Sequence, residues 1–400
     1  MKRGLLILLF TITGFCVQLS AAPLPSGTLR FEFLGDSLQI KADPSLAVHF
    51  DSNLSPAAIR SFYREINQSQ YHALIQFLQE TREDKKLDDW LFYQLVRKTA
   101  QQLAPKADNY YLYTLYKWFL MVKSGYDAAL NIYNDQLLFY VYSTDEVFEI
   151  PLYVKNGRQY VCLNIHDYAK ASGQQVRKIE EIEIKDQVAE KPFSYKVTRL
   201  PEFNEAMYAE KEIRFPYRDS VYHFTVKLNQ QVQSIFTNYP IVDYGSYFNI
   251  PMSRQTYSSL LPLLKNRLSG LKEKQGVDYL MHFTRNAFLY EDDYQHFGKE
   301  KRMAPEETLL AASSDCDDRA TLFFYLVKEI YNLPMLALVY PSHITVAVQF
   351  EKPFGKTIEY AGKKYSVCEP TPQAGNLAIG ELAPKYRNQA YQVVYAYQPR

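Results

Sequence analysis

Apolar and polar residues follow three rhythms in succession along this chain. The first is a short alternation: TLRFEFLGDSLQIKA (28–42) switches every second residue around Gly35-Asp36, which predicts a hairpin. The second rhythm is helical. From Pro56 to about Glu80, the residues Ile59, Tyr63, Ile66, Leu74, Phe77 and Leu78 recur at helical spacing, and Ser55 before Pro56 supplies an N-cap. LDDWLFYQLVRKTAQQL (87–103) and NYYLYTLYKWFLMVKSG (109–125) continue the pattern. The latter is aromatic along its length, is interrupted by Lys117 and is closed by Gly125, and it reads as core packing rather than a ligand-stacking surface.

The third rhythm has period two and runs from Tyr126 to about Ile250, as in LLFYVYST (137–144), EVFEIPLYV (146–154), RQYVCLNI (158–165) and KIEEIEIK (178–185). Asn156-Gly157 marks a tight turn between two of these strands. The charged stretch KDQVAEKPFSYK (185–196) reads as a linker or a solvated strand edge. Helical spacing returns in QTYSSLLPLLKNRLSGL (255–271) and GVDYLMHFTRNAFLY (276–290). Next comes an apolar helix beginning near Cys316, followed by the strands MLALVY (335–340), HITVAVQF (343–350) and KKYSVCEPT (363–371). Pro341-Ser342 and Ala361-Gly362 supply turns, so the expected unit is an antiparallel meander on a helix. The predicted fold class is therefore α+β. Its expected organisation is a signal peptide (1–22), an N-terminal hairpin plus helical region (23–125), a β-rich accessory region (126–250) and a C-terminal domain (251–400).

Composition narrows the function. The 400 residues are 47% hydrophobic, enough for a sizeable core and more than one domain. Lys plus Arg number 45 against 44 Asp plus Glu, so no basic excess exists to draw nucleic acid or an anionic membrane surface. At the N-terminus, Lys2 and Arg3 precede the apolar run GLLILLFTITGFCV (4–17), and small residues lead to a proline break around Ala21 to Pro23. This pattern predicts a secretory signal and an exported, periplasmic or envelope-associated protein. The run is shorter than the ~20 residues of a membrane span, and no later segment replaces it. Phe15 before Cys16 argues against lipid modification there, which wants a small residue. Three cysteines would remain: Cys162, Cys316 and Cys368. That odd count permits a bridge between Cys162 and Cys368 with Cys316 free, or three reduced thiols.

Cys316, Ala320, Phe323, Val327 and Ile330 share one helical stripe, so Cys316 faces inward. It is either a small core residue or a nucleophile. If residue 350 pairs near residue 364, antiparallel counting sets Thr345 opposite Glu369 and places His343 on the same face, with Cys368 turned to the other. Cys316, His343 and Glu369 would then supply thiol, base and orienting acid. A helix N-terminus favours the thiolate. Asp315, Asp317 and Asp318 oppose it unless they cap the helix or face solvent. The remaining histidines (His49, His72, His166, His223, His282, His296) have no comparable context, and the acidic residues lack recognisable metal-ligand spacing. No cofactor and no metal are expected.

At these residues the chain resembles the bacterial transglutaminase-like superfamily. The resemblance lies in DCDDRATLFFYLV (315–327), YPSHITVAVQF (340–350) and KYSVCEPT (364–371), with FLYEDDYQHFGKEKRMAPEETL (288–309) similar to the lead-in of an exported branch; it covers roughly residues 255 to 375. It implies a papain-like core with the cysteine at a helix start and the histidine and acid on following strands. Glu369 stands where the family reads Asp, and its extra methylene demands a shifted backbone or another rotamer. An oxyanion hole would use the Cys316 backbone N–H and an upstream side-chain donor, for which Gln295 and Asn286 are candidates by type. The function so implied is cysteine-dependent acyl transfer on amide bonds of a peptide or protein substrate, as peptidase, amidase or transglutaminase. The alternative is a catalytically inactive envelope module of the same fold that binds peptides or a partner protein.

Overall fold

Helix starts follow local capping chemistry. Ser55 accepts the Ala58 N–H to open α1 (Pro56–Asn67), and Asn109 accepts the Leu112 N–H to open α4 (Tyr110–Lys123). The computed structural model describes residues 27–50, 53–168, 180–184, 189–293, 300–373 and 375–399. The expected signal segment with Cys16 lies outside the described residues, as do Gln295 and His296. The architecture is mixed α+β.

The N-terminal hairpin pairs β1 (Thr28–Phe33) with β2 (Asp36–Lys41) as expected. The helical pattern from Pro56 to Glu80 forms two helices, not one: α2 (His72–Asp84) begins after a break at residues 68–71. There Ser69 Oγ donates to the Ile66 carbonyl, and the Gln70 N–H turns to Ser45 Oγ at 3.0 Å, so side chains divert the main-chain bonds that would continue the helix. Next, α3 (Asp89–Leu103) packs against α4, whose aromatic residues Tyr113, Tyr116, Trp118 and Phe119 are buried.

A five-stranded antiparallel sheet follows, formed from β3 (Ala128–Tyr133), β4 (Gln136–Tyr142), β6 (Leu152–Lys155), β7 (Arg158–Cys162) and β8 (Glu180–Glu181) in the order β6-β7-β4-β3-β8. Asn156 and Gly157 both take positive φ in the two-residue turn between Lys155 and Arg158, the geometry a type I′ hairpin needs. EVFEIPLYV is not one strand. Glu149 has φ 57° and Pro151 lacks an N–H, so β5 (Val147–Phe148) separates from β6 and pairs instead with β11 (Ile241–Val242). The described part of residues 185–196 is neither linker nor solvated edge: Phe193 and Tyr195 are buried, and the Phe193 N–H bonds the Tyr142 carbonyl.

A long hairpin of β9 (Tyr208–Tyr217) and β10 (Ser220–Asn229) leads through α5 (Gln230–Phe236) and α6 (Tyr244–Tyr247) to α7 (Arg254–Leu268) and α8 (Glu273–Asn286). The short parallel pair β12 (Leu289–Tyr290) and β13 (Ser313–Ser314) sets the chain at the start of the Cys316 helix (Cys316–Tyr331). A second five-stranded antiparallel sheet comprises β14 (Met335–Tyr340), β15 (His343–Val348), β16 (Thr357–Tyr360), β17 (Lys363–Cys368) and β18 (Gln392–Tyr397) in the order β16-β17-β15-β14-β18. Tyr340 pairs with His343 across the Pro341-Ser342 turn, and Val346 pairs with Cys368. One step beyond that pair, Thr345 faces Glu369, and Thr345 Oγ1 donates to the Cys368 carbonyl at 3.0 Å.

Strand alternation divides this sheet into two faces. Ile344, Val346, Val348 and Cys368 join the main apolar core together with Ala320, Phe323 and Val327 of the Cys316 helix. Tyr340, Ala347 and Val367 form a smaller core on the other face with Leu336, Leu338 and Tyr386, and strand parity places His343 and Glu369 there too. The main core is continuous from Phe31 through Trp118, Phe139 and Phe215 to Phe323, so it runs through all three sequence regions. Among the described residues no helix is long and apolar enough to cross a membrane. Cys162, Cys316 and Cys368 are all unpaired.

Candidate active site

The three aspartates at the head of the Cys316 helix have different jobs. Asp315 is the N-cap, and its Oδ1 accepts the N–H groups of Asp317 (2.9 Å) and Asp318 (3.2 Å). Asp318 returns the bond to the Asp315 N–H and also takes the Met303 N–H at 2.8 Å, pinning the preceding segment to the helix. Asp317 points elsewhere. Its Oδ2 lies 3.7 Å from Cys316 Sγ, while its Oδ1 meets Tyr244 OH (3.1 Å) and Arg302 Nε (3.5 Å). One turn on, Arg319 is fully buried, and its guanidinium donates to the carbonyls of Ser314, Arg285 and Phe288, which ties the cysteine helix to the end of α8.

His343 and Glu369 meet on the face opposite that helix, at the end of the sheet. His343 Nε2 lies 2.7 Å from Glu369 Oε2, with the two side chains 3% and 0% exposed. Glu369 Oε1 accepts the Thr371 N–H at 2.9 Å, so the chain beyond Pro370 folds back to hold the carboxylate. Arg285 of α8 donates from Nε and Nη2 to the Glu369 carbonyl and from Nη1 to Asn376 Oδ1 at 2.6 Å. The extra methylene of glutamate is thus accommodated by a carboxylate anchored at both oxygens and a clamped backbone. Tyr386 stacks on the His343 ring with centroids 4.7 Å apart and planes within 6°. With Nε2 committed to a carboxylate, the hydrogen-bond network assigns the proton to Nε2 and leaves the Nδ1 lone pair as the proton acceptor.

Cys316 and His343 belong to opposite faces of the sheet, and among the described residues no hydrogen bond or ion pair joins the thiol to the imidazole. The Ile344 N–H, one residue past His343, is directed at Cys316 Sγ, whose hydrogen-bond-range side-chain contact among the described residues is with Asp317. Burial pushes the Cys316 thiol up, the Asp317 and Asp315 carboxylates add to this, and the Ile344 N–H opposes them. The expected lowering by the helix N-terminus is therefore overridden, because a carboxylate at 3.7 Å and desolvation outweigh the roughly half an elementary charge of the helix dipole. Cys368 faces away, is fully buried and is also pushed up by burial.

This geometry makes Asp317→Asn a directed test. Removing the nearest negative charge and freeing Arg302 should lower the thiol pKa. Thiolate at pH 7, and with it alkylation of Cys316 by iodoacetamide, should rise about tenfold for each pH unit by which the thiol titrates lower. An unchanged or slower rate would show that Asp317 does not control the sulfur.

Oxygens of Asp293, Glu300 and Asp315 lie within 4.8 Å of one another, and Asp315 also groups with Cys316 and Asp317. Burial first, and then neighbouring carboxylates, raise Asp293 to about 6 and Glu300 to about 7. These are the side chains that could hold a cation, and their convergence across the intervening chain has no spacing signature in the sequence. Asn286, one candidate donor, directs Nδ2 to the Pro216 carbonyl at 3.2 Å. Sequence reasoning missed Tyr386, Thr371 and Arg285, the last of which shares its helical stripe with His282 and Asp278 and so carried no distinct signal. Comparison with family models, curated proteins and solved structures gives no match to this chain.

Proposed function

We propose that the chain is an exported cysteine-dependent acyl-transfer enzyme with a papain-like core of the transglutaminase-like kind, acting on amide bonds of peptides or proteins. The observation that carries this reading is the buried His343–Glu369 pair at 2.7 Å, one residue along the strand from Ile344, whose N–H acts on the Cys316 thiol. A buried imidazole held by a doubly anchored carboxylate and an aromatic face is a poised base. In the reaction, the Cys316 S–H proton passes to His343 Nδ1 as sulfur bonds the substrate carbonyl carbon. The C–N bond then breaks, and the amine leaves with that proton. The resulting thioester is released by water in hydrolysis or by a second amine in transamidation, with His343 again taking the acceptor's proton. The apolar leader-like run 4–17 behind Lys2 and Arg3 supports action outside the cytoplasm.

A second reading, a non-catalytic binding module, draws on the thiol held protonated by burial and two carboxylates. The discriminating experiment offers the protein a glutaminyl peptide with and without a fluorescent primary amine. Amine incorporation or peptide hydrolysis that disappears in Cys316→Ala supports the enzyme. No turnover, combined with Cys316 alkylating no faster than Cys368, would leave the module.

A further inference from the structure

A polar seam lies far from Cys316, between α3, α4 and the first five-stranded sheet. Tyr110, Tyr113 and Lys117 form one stripe of α4, and Tyr93 and Arg97 stand one turn apart on α3. Lys117 is 1% exposed, and its ammonium sits 4.4 Å from the Tyr113 ring centroid and 5.7 Å from that of Tyr110. Among the described residues it has no hydrogen-bond acceptor and no carboxylate at ion-pair distance, and Asp167 acts on it only from farther away. Arg97, 6.0 Å from the Tyr93 ring, has only neutral hydrogen-bond partners, Gln94 Oε1 and the Tyr113 hydroxyl. The carboxylate of the seam, Asp167, is already taken by Lys106 at 2.5 Å, Tyr110 OH at 2.8 Å and His166 at 3.3 Å. Tyr93 OH is buried without a partner.

Three cations, Lys117, Arg97 and Lys106, therefore share one carboxylate, Asp167, which is ion-paired to Lys106 and acts on the other two only from a distance, so positive charge and donors are in excess. Taking an ammonium out of water without a counter-charge is costly, and cation–π contact offsets only a small part of that. Donor excess around an unpaired positive charge is the composition of an anion site. We propose that this seam binds a small oxyanion, a carboxylate or phosphate group, with Lys117 and Arg97 as its charge partners and Tyr93 OH as a third donor. The entrance would be the half-buried rim of Arg97, Lys106 and Tyr110. Burial first, and then Arg97 and Lys106 against the pull of Asp167, hold Lys117 down at about 7, and an anion beside it would raise this again.

The inference is independent of the acyl-transfer reading and is tested on the full chain. Thermal unfolding is followed in chloride, inorganic phosphate and benzoate at matched ionic strength. An anion that fills the seam should raise Tm by roughly 3 °C at a hundredfold excess over its Kd. A rise with phosphate alone assigns a phosphate ligand, a rise with benzoate alone an organic carboxylate, and a rise with both a site for either group. Lys117→Met should abolish the rise while leaving Tm in chloride at or above the wild-type value, because an unpaired buried charge has been removed. Arg97→Gln, at the half-buried rim, should weaken the anion effect severalfold even if the lysine variant folds poorly. Equal Tm in all three salts, or an undiminished rise in both variants, would overturn the proposal.

Discussion

Alkylation of Cys316 at pH 7 should fall by about 10²-fold in His343→Ala, while the folded protein remains intact. The structure explains the size of the effect. Burial, Asp317 and Asp315 hold the lone thiol protonated, so the helix dipole cannot generate thiolate unaided. On the proposed reading, reactivity depends on proton transfer to His343, and a positioned base contributes on the order of 10² to 10⁴ in rate. Cys162, pushed up to about 11 by burial, and the fully buried Cys368 serve as internal controls that should stay unreactive in both proteins. The same chemistry moves the useful window upward: the selective labelling near pH 6 expected of a histidine-paired thiol at a helix N-terminus gives way to labelling that strengthens above neutrality. Peptide-resolved mass spectrometry after timed iodoacetamide exposure reads the rates. Equal labelling of Cys316 with and without His343 would mean that the histidine does not act on the sulfur.

Much of this site was legible because it rests on period-two counting. The Pro341-Ser342 turn and the spacing to Ala361-Gly362 set a register in which Thr345 faces Glu369, and the strands pair in that register. The same counting separates Glu369 from Cys368 and identifies the latter as packing. What counting could not supply were contacts made by residues with no periodic relation to the strands. Tyr386 arrives from a short turn of 3₁₀-helix at Pro384–Tyr386, and Arg285 reaches the Glu369 carbonyl from α8. The electrostatics were misjudged for a related reason. All three aspartates read as first-turn acids, yet only Asp315 and Asp318 are spent on capping, and the rotamer that turns Asp317 toward sulfur is a tertiary choice made with Tyr244 and Arg302. Helix boundaries failed where side chains captured main-chain bonds, as Ser69 and Ser45 do between α1 and α2.

Glu369→Gln should be nearly as damaging as loss of the histidine, although the sequence alone suggests a milder effect because the ring would lose its orientation but keep its proton-accepting nitrogen. The carboxylate receives two N–H donors, one on each oxygen, from Thr371 at 2.9 Å and His343 at 2.7 Å. Glutamine has a single acceptor oxygen. If that oxygen stays on the Thr371 N–H, the amide NH₂ faces Nε2 and drives the ring proton to Nδ1, the atom that accepts the thiol proton in the proposed reaction. If the amide turns over, its NH₂ meets the Thr371 N–H, and a buried donor pair is left unsatisfied at a cost of about 1–3 kcal/mol. The first arrangement disables the base, and replacing a triad acid by its amide costs up to ~10⁴ in rate for this reason. We therefore expect turnover to fall by up to roughly 10⁴, and Cys316 alkylation by somewhat less than the ~10² of the histidine variant. Glu369→Asp keeps both anionic acceptors but shortens the reach, so it should retain the Nε2–H tautomer and lose far less. Nitrogen NMR of the His343 ring separates the outcomes: a proton found on Nδ1 in the glutamine variant accounts for the loss, whereas an unchanged tautomer with unchanged alkylation would show that Glu369 does not orient the base.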